Sequence, residues 1–326
     1  MLNAYTLHDG KPRRLDPGAS RQDLGHAVWL DLVDATEAEV ALVQAVSGLE
    51  VPSRTTIHEI ESSSRLSVRN GAIYLNMPML SAPGGPRGVA VGFVLAPRHL
   101  VTVRFAPSRS FDSYVAGWTQ AMGASHGPAH VFVGLMEAVI DRQADALESV
   151  RTDLDHISHR IFDMAGSGGG ARREEDRRLR DTLVALGRIG DLISHVRDTQ
   201  VVAARIVPYV ETGAVDWLPR DTRARLRTLS HDITSVTDFA NHLNDKLQFM
   251  LDATLGFISI AQNNLMKVMT IASVAGIPPV LVAGIYGMNF HLMPELGWTL
   301  GYPFALGMII LSTIIPLVAF RWRGWI

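Results

Sequence analysis

The sequence predicts an α+β domain that is followed by a long α-helical stalk and two transmembrane helices. Two stretches near the C-terminus, residues 268–290 and 297–320, contain no Asp, Glu, Lys or Arg. An α-helix needs roughly 20 predominantly apolar residues to cross a bilayer, and both stretches are long enough. A pair of buried core helices is the alternative interpretation, but core helices rarely run this far without a charge.

The stalk is predicted by an interval without proline. A helical pattern begins near Asp221 and meets no proline before Pro278. At 1.5 Å per residue this interval would span roughly 85 Å as one helix. A helix of that length extends beyond a globular domain, so we predict that it continues into the first transmembrane helix. Its apolar positions predict packing against neighbouring helices: Val236, Leu243, Leu247, Met250 and Leu251.

The N-terminal part, to about residue 125, has the short strands and helices of a small α/β domain. Residues 27–33 read as a strand, and Thr36 is a suitable N-cap for a helix that runs to about Val46. The Asn70-Gly71 pair between two apolar runs predicts a tight β-hairpin. A second hairpin is predicted over residues 89–105, with its turn at 96–99.

Residues 131–207 have helical periodicity. Apolar residues recur three, four or seven positions apart and predict a buried stripe: Ile140, Ala144, Leu147, Leu154, Ile157 and Ile161. The glycine-rich segment 166–170 predicts the end of this helix. It is not a phosphate-binding loop, because no Gly-Lys-Ser/Thr follows it. A second helix is predicted from Arg172 to about Val207, where Pro208 should stop it.

Composition excludes several classes of protein. The chain has no cysteine, which excludes disulfides and thiolate metal sites, and its formal net charge of −2 gives no indication of a nucleic-acid partner. The N-terminal residues do not show an apolar run behind basic residues, so we do not predict a cleaved signal peptide there. We find no nucleophile–base set, phosphate loop or organic-cofactor motif, so the chain is not expected to be an enzyme.

Basic residues precede the first predicted transmembrane helix and follow the second. Lys246 and Lys267 precede the first helix, and Arg321 and Arg323 follow the second. Since basic residues beside a membrane span mark the cytoplasmic side, we expect a multi-pass protein of the cell inner (plasma) membrane with both termini cytoplasmic.

These observations predict the following boundaries along the chain. They are an N-terminal α/β cytoplasmic domain at 1–125, antiparallel cytoplasmic helices at 126–215, the stalk helix at 216–265, transmembrane helix 1 at 266–290, an outer loop at 291–302, transmembrane helix 2 at 303–320, and a basic cytoplasmic tail at 321–326.

A short motif follows the first transmembrane helix. The chain reads Tyr286-Gly287-Met288-Asn289-Phe290, and Met293-Pro294-Glu295-Leu296 comes next. This resembles the CorA family of magnesium and divalent-cation transporters, whose signature is Gly-Met-Asn at the outer end of the first span, commonly extended by Met-Pro-Glu-Leu. The resemblance covers nearly the whole chain and is most specific over residues 250–326.

The resemblance implies a channel-like transporter of magnesium, with cobalt and nickel as further candidate ions, that assembles as a homopentameric funnel in membrane lipid. It implies a selectivity filter of Gly287, Met288 and Asn289. The implied pore-lining residues are Asn263, Met266, Met269, Ile277, Val280 and Gly284. Magnesium would be the regulatory ion as well as the transported one, and no organic cofactor is implied.

The resemblance also places residues at the two ends of the pore. Asp252 matches an acidic position at the cytoplasmic mouth, and Glu295 matches the acidic residue of the outer loop. Asn289 and Asp252 are therefore the candidate metal-contacting residues. The chain departs from the family at Val280, where threonine is frequent, and at His291, where glutamate is frequent.

Other readings of these residues remain open. By itself, Asn289 is compatible with a simple helix C-cap in a surface loop. The alternatives for the whole chain are a zinc transporter of the related ZntB group and a membrane-anchored protein without transport activity.

Overall fold

The computed structural model describes residues 1–8, 11–16, 18–58, 65–80, 89–118, 127–166, 172–288 and 297–325. The chain forms two compact units. The first comprises Met1–Met164 and Arg180–Met250, and the second comprises Ala165–Leu179 and Leu251–Ile326.

A seven-stranded sheet forms the N-terminal part of the first unit. Its strands are β1 (Leu2–His8), β2 (Lys11–Arg14), β3 (Trp29–Val33), β4 (Leu66–Arg69), β5 (Ala72–Met79), β6 (Val89–Leu95) and β7 (Leu100–Arg104). Their order is β2-β1-β3-β7-β6-β5-β4. Only the central pair β3–β7 is parallel among these strands, with Trp29 opposite Leu100. The predicted strand near residues 27–33 is confirmed as β3.

Both predicted hairpins are confirmed. Asn70 and Gly71 have φ angles of 51° and 76°, and a two-residue turn with positive φ at both positions matches the twist of the flanking strands. In the second hairpin β6 pairs antiparallel with β7, so that Leu95 lies opposite Leu100. The amide of Ala96 closes this turn by donating to the carbonyl oxygen of His99 at 2.9 Å.

Short helices cover one face of the sheet. They are α1 (Arg21–Gly25), α2 (Glu37–Ser47) and α3 (Arg54–His58). The Thr36 hydroxyl accepts a hydrogen bond from the Glu39 amide, and the Glu39 carboxylate accepts one from the Thr36 amide. This reciprocal cap satisfies two backbone donors and confirms the predicted start of α2. Leu24, Val43 and Ile57 pack into a buried cluster with the strand residues Leu30 and Val101.

Aromatic side chains fill the opposite face, against α4 (Arg109–Trp118) and the beginning of α5 (Pro128–Gly166). Trp29 stacks on Tyr5 with ring centroids 4.6 Å apart, and Phe93 meets Phe132 of α5 edge to face at 5.5 Å. Rings of this size bury large apolar areas and prefer these two geometries. The sheet is therefore anchored directly to the first long helix.

Three long helices follow the sheet: α5, α6 (Arg172–Gly213) and α7 (Arg220–Tyr286). The predicted stripe on α5 is buried at Ile140, Leu147, Leu154, Ile157 and Ile161, and Ala144 is half-buried. The predicted end of α5 at Gly166 is confirmed. Four of the five predicted core positions on α7 are buried, namely Val236, Leu243, Leu247 and Met250, and Leu251 is half-buried.

The prediction that Pro208 ends the second helix is wrong. Helix α6 passes through Pro208 and ends at Gly213. Proline removes one amide donor, but Pro208 lies on the exposed side of the helix, where water can bind the freed carbonyl. On the other side Ile206, Val207 and Val210 are buried, and this packing outweighs the lost hydrogen bond.

Helix α7 is 67 residues long and contains Pro278 and Pro279. The prediction of a long helix that continues into the first charge-free stretch is therefore confirmed. The second stretch forms α8 (Gly301–Trp322).

Candidate functional site

Two described helices are long and apolar enough to cross a membrane, and they are α7 and α8. Their most apolar windows are almost entirely exposed, with none of the α7 window and 6% of the α8 window buried. The helices of a soluble core would be covered by other parts of the chain. These windows instead need lipid or other helices as neighbours, which supports the prediction of two transmembrane helices.

The predicted pore-lining residues share one face of α7. At about 100° per residue, their positions fall within an arc of about 120°, and Asp252 falls within the same arc. The set comprises Asn263, Met266, Met269, Ile277, Val280 and Gly284, and all are exposed. Met269 and Val280 expose 66% and 72% of their surfaces. One chain therefore presents a continuous, largely apolar face with a carboxylate near its N-terminal end.

This face has an open groove. Its volume is about 600 Å³, and its lining includes Gly276, Ile277, Val280, Leu281, Gly284 and Met288. A methyl group added at Gly276 or Gly284 would meet no atom within 4 Å. Small residues beside an open groove allow the close approach of another helix.

The structure describes Gly287 and Met288 of the predicted filter. Both are exposed, and they follow directly after the last residue of α7. The amide of Gly287 donates to the carbonyl oxygen of Ala283 at 3.0 Å. A Cβ atom at Gly287 would lie 3.2 Å from that oxygen, so glycine leaves room for the chain as the helix ends. Asn289, His291 and Glu295 lie outside the described residues.

Polar contacts join the first turns of α7 to α5. His130 Nε2 lies 2.7 Å from Asp221 Oδ2, and the Thr222 hydroxyl lies 3.1 Å from His130 Nδ1. This hydrogen bond from His130 holds the pKa of the Asp221 carboxyl below its usual range. Arg225 donates through Nε to Glu137 Oε1 at 3.0 Å and forms a second bond to the other oxygen.

A group of acidic residues surrounds Asp141 on α5. Burial raises the pKa of the Asp141 carboxyl, and repulsion from Glu137, Asp145 and Asp232 raises it further. Asp232 belongs to α7, so the repulsion acts between the two helices. Among the residues that the structure describes, however, no three His, Asp or Glu side chains come together as a metal site requires.

Sequence reasoning missed the buried polar network of the sheet. Asp31 on β3 accepts from Arg104 Nη2 at 2.8 Å, from Arg104 Nε at 3.1 Å and from the Thr102 hydroxyl at 2.8 Å. The Trp29 indole donates to the Thr102 hydroxyl at 2.9 Å. Asp31 interrupts an otherwise apolar strand, and this was the one signal that a buried partner was required.

The fold and its two apolar helices define a membrane protein, and comparison with known proteins identifies its family. The CorA-like Mg²⁺ transporter family model matches residues 25–321. The chain is 30% identical to the magnesium transport protein CorA of Pasteurella multocida (strain Pm70) over 332 aligned positions, and 30% identical to that of Escherichia coli (strain K12) over 329; each alignment covers 100% of both chains.

Solved structures have the same fold at low sequence identity. The complete CorA magnesium transporter from Methanocaldococcus jannaschii matches with a TM-score of 0.75 and 16% identity, covering 100% of this chain and 99% of that one. The full-length CmaX protein matches with a TM-score of 0.71 and 16% identity, covering 99% and 97%. The ZntB cytoplasmic domain from Vibrio parahaemolyticus is more distant, with a TM-score of 0.55, 12% identity and coverage of 79% and 97%.

The chain belongs to the CorA-like Mg²⁺ transporter family. The predicted family and fold class are thereby confirmed. Membership also confirms that the chain is a divalent-cation transporter of the membrane and not an enzyme.

Proposed function

We propose that the chain conducts magnesium through a pore lined by the exposed face of α7 and selects the ion at a ring formed by Gly287, Met288 and Asn289. One observation carries the proposal. Along the arc of α7 that includes Asp252 and Gly284 the residues are exposed in a single chain, apart from half-buried Thr270, and Gly287 follows directly after the same helix. The pore is therefore built from one continuous helix per subunit.

The chemistry of magnesium fits such a ring. Mg²⁺ loses its water reluctantly and demands near-octahedral coordination by oxygen. Carboxamide and carbonyl oxygens can accept hydrogen bonds from the water shell, so the ion is selected while it remains hydrated. Below the ring the α7 face is mostly apolar, and an apolar constriction closes by losing its water.

Several copies are needed to enclose the path, because two transmembrane helices per chain cannot surround it. The homopentamer implied by the family resemblance supplies five copies of the α7 face. Gly276, just beyond the edge of the pore-lining arc, leaves room for a neighbouring helix. Five Asp252 carboxylates would then line the cytoplasmic mouth and attract cations.

Regulation by intracellular magnesium is part of the proposal. Asp232 on α7 repels Asp141 on α5, and this repulsion adds to the effect of burial in raising the pKa of the Asp141 carboxyl. A divalent cation near them would relieve this repulsion and hold the two helices together. Loss of the cation would loosen the same contact. In this arrangement both termini are cytoplasmic, and the protein lies in the cell inner membrane.

Magnesium influx into proteoliposomes tests the proposed ion. The full-length protein is expected to admit Mg²⁺ to vesicles loaded with a magnesium-sensitive dye, whereas protein-free vesicles remain impermeable. Excess Co²⁺ or Ni²⁺ should reduce the influx, because both ions form octahedral hydrates of similar size. Zinc uptake without magnesium uptake would contradict the proposal and favour a transporter of the ZntB type, and impermeability to all four ions would indicate a protein without transport activity.

A further inference from the structure

The end of α8 has an ordered cap. Gly324 has a φ of 70°, its amide donates to the carbonyl oxygen of Arg321 at 3.1 Å, and the Trp325 amide donates to that of Phe320 at 3.0 Å. The Phe320 and Trp325 rings stack with centroids 5.4 Å apart. This pair of hydrogen bonds and the apolar contact across them constitute a Schellman motif. The residues at the end of α8 are therefore fixed in place.

The cap leaves two guanidinium groups available. The carbonyl oxygens of Ala319, Phe320 and Arg321 already accept main-chain hydrogen bonds, so the arginine side chains are not needed there. Among the residues that the structure describes, the guanidinium groups of Arg321 and Arg323 have no hydrogen-bond or ion-pair partner. From residue 297 to residue 326 the sequence has no Asp or Glu. No acidic side chain of this segment balances these two charges.

Two tryptophans accompany the arginines. Trp322 exposes 88% of its surface and Trp325 exposes 42%. Indole rings favour the headgroup level of a bilayer, because there the N–H group contacts water while the apolar part of the ring contacts lipid. Since α8 is apolar over its length and lacks acidic residues, the arginines and tryptophans share the end of the helix that meets the membrane surface.

We propose that the end of α8, comprising Arg321, Trp322, Arg323 and Trp325, is a binding site for the headgroup of an anionic phospholipid. A guanidinium binds a phosphate oxygen pair with two parallel hydrogen bonds, which an unpaired arginine can provide at once. A net negative headgroup also complements the two positive charges, whereas a zwitterionic one does not. The proposal rests on α8 crossing the membrane and is independent of which ion the pore conducts.

Quenching of tryptophan fluorescence by brominated lipid tests the site. The full-length protein is reconstituted into phosphatidylcholine vesicles that contain either brominated phosphatidylglycerol or brominated phosphatidylcholine. Each basic residue near an anionic surface contributes about a fivefold preference. We therefore expect the wild type to be quenched preferentially by the anionic lipid, the Arg321→Gln/Arg323→Gln variant to lose most of that preference, and the Trp322→Phe variant to show less quenching by both lipids.

The matched control is Arg188→Gln, which removes an exposed arginine from α6 and should leave the preference unchanged. An undiminished preference in the double arginine variant, or none in the wild type, would overturn the proposal. Circular dichroism and size-exclusion chromatography verify that the variants are folded. Magnesium influx, measured on the same vesicles, separates a failure of the lipid site from a failure of the proposed transport.

Discussion

The Arg104→Met variant is expected to lower the free energy of unfolding by about 3–5 kcal/mol. Asp31 and Arg104 expose only 2% and 7% of their side chains, and Arg104 supplies two of the four hydrogen bonds that Asp31 accepts. Removal of the guanidinium leaves a carboxylate in the middle of the sheet with the Thr102 hydroxyl as its main donor. The measurement is urea unfolding of the full-length protein in detergent, followed by tryptophan emission, to which buried Trp29 contributes.

Two control variants test whether the loss of stability comes from a buried charge left without a partner or from the loss of an ion pair of any kind. The Asp31→Leu/Arg104→Met variant removes both charges, and it should be more stable than Arg104→Met alone. The exposed pair Arg69–Glu50, with nitrogen and oxygen 3.6 Å apart, lies at the edge of the same sheet. Arg69→Met should therefore cost less than about 1 kcal/mol. Equal costs for Arg69→Met and Arg104→Met would contradict this account of the buried pair.

The Asn289→Ala variant is expected to lose most magnesium influx while it remains folded. A hydrogen bond to a charged group is worth about 1.5–3 kcal/mol, which corresponds to roughly 10- to 150-fold in binding. The lost carboxamide is repeated in every subunit, so a decrease of at least tenfold is expected for the ring. The assay is the rate of dye response in proteoliposomes at matched protein content.

Asn241→Ala is the matched control for this variant. Asn241 is an exposed asparagine on α7, outside the membrane-spanning segment, and its loss should not change the influx. Unchanged influx in Asn289→Ala would indicate that the residue is a helix C-cap only and would remove it from the filter.

Local sequence signals predicted local structure well. The Asn70-Gly71 turn and the Thr36 cap each depend on a few neighbouring residues whose backbone chemistry is specific, and both were located to the residue. The long α7 helix was predictable because proline is absent between Asp221 and Pro278, and its membrane segment was predictable because residues 268–290 carry no charge. The family resemblance depended in the same way on the contiguous motif that ends at Asn289.

Features that depend on distant residues were not predictable in the same way. The continuation of α6 past Pro208 is decided by the tertiary packing of Ile206 and Val210. Helix propensity takes no account of such packing. The partner of Asp31 lies 73 positions along the chain, on a strand that pairs with β3 in parallel. The sequence spacing of these two residues carries no sign of that contact.

The absence of native cysteine makes the lining of the pore directly measurable. Val280→Cys places a thiol on the α7 face that we assign to the pore, and Val282→Cys places one about 200° around the same helix. A positively charged thiol reagent is added to proteoliposomes during magnesium influx. We predict that the reagent blocks influx through Val280→Cys and leaves Val282→Cys unaffected. Block of Val282→Cys alone, or of neither variant, would contradict the assignment of this face of α7 to the magnesium path.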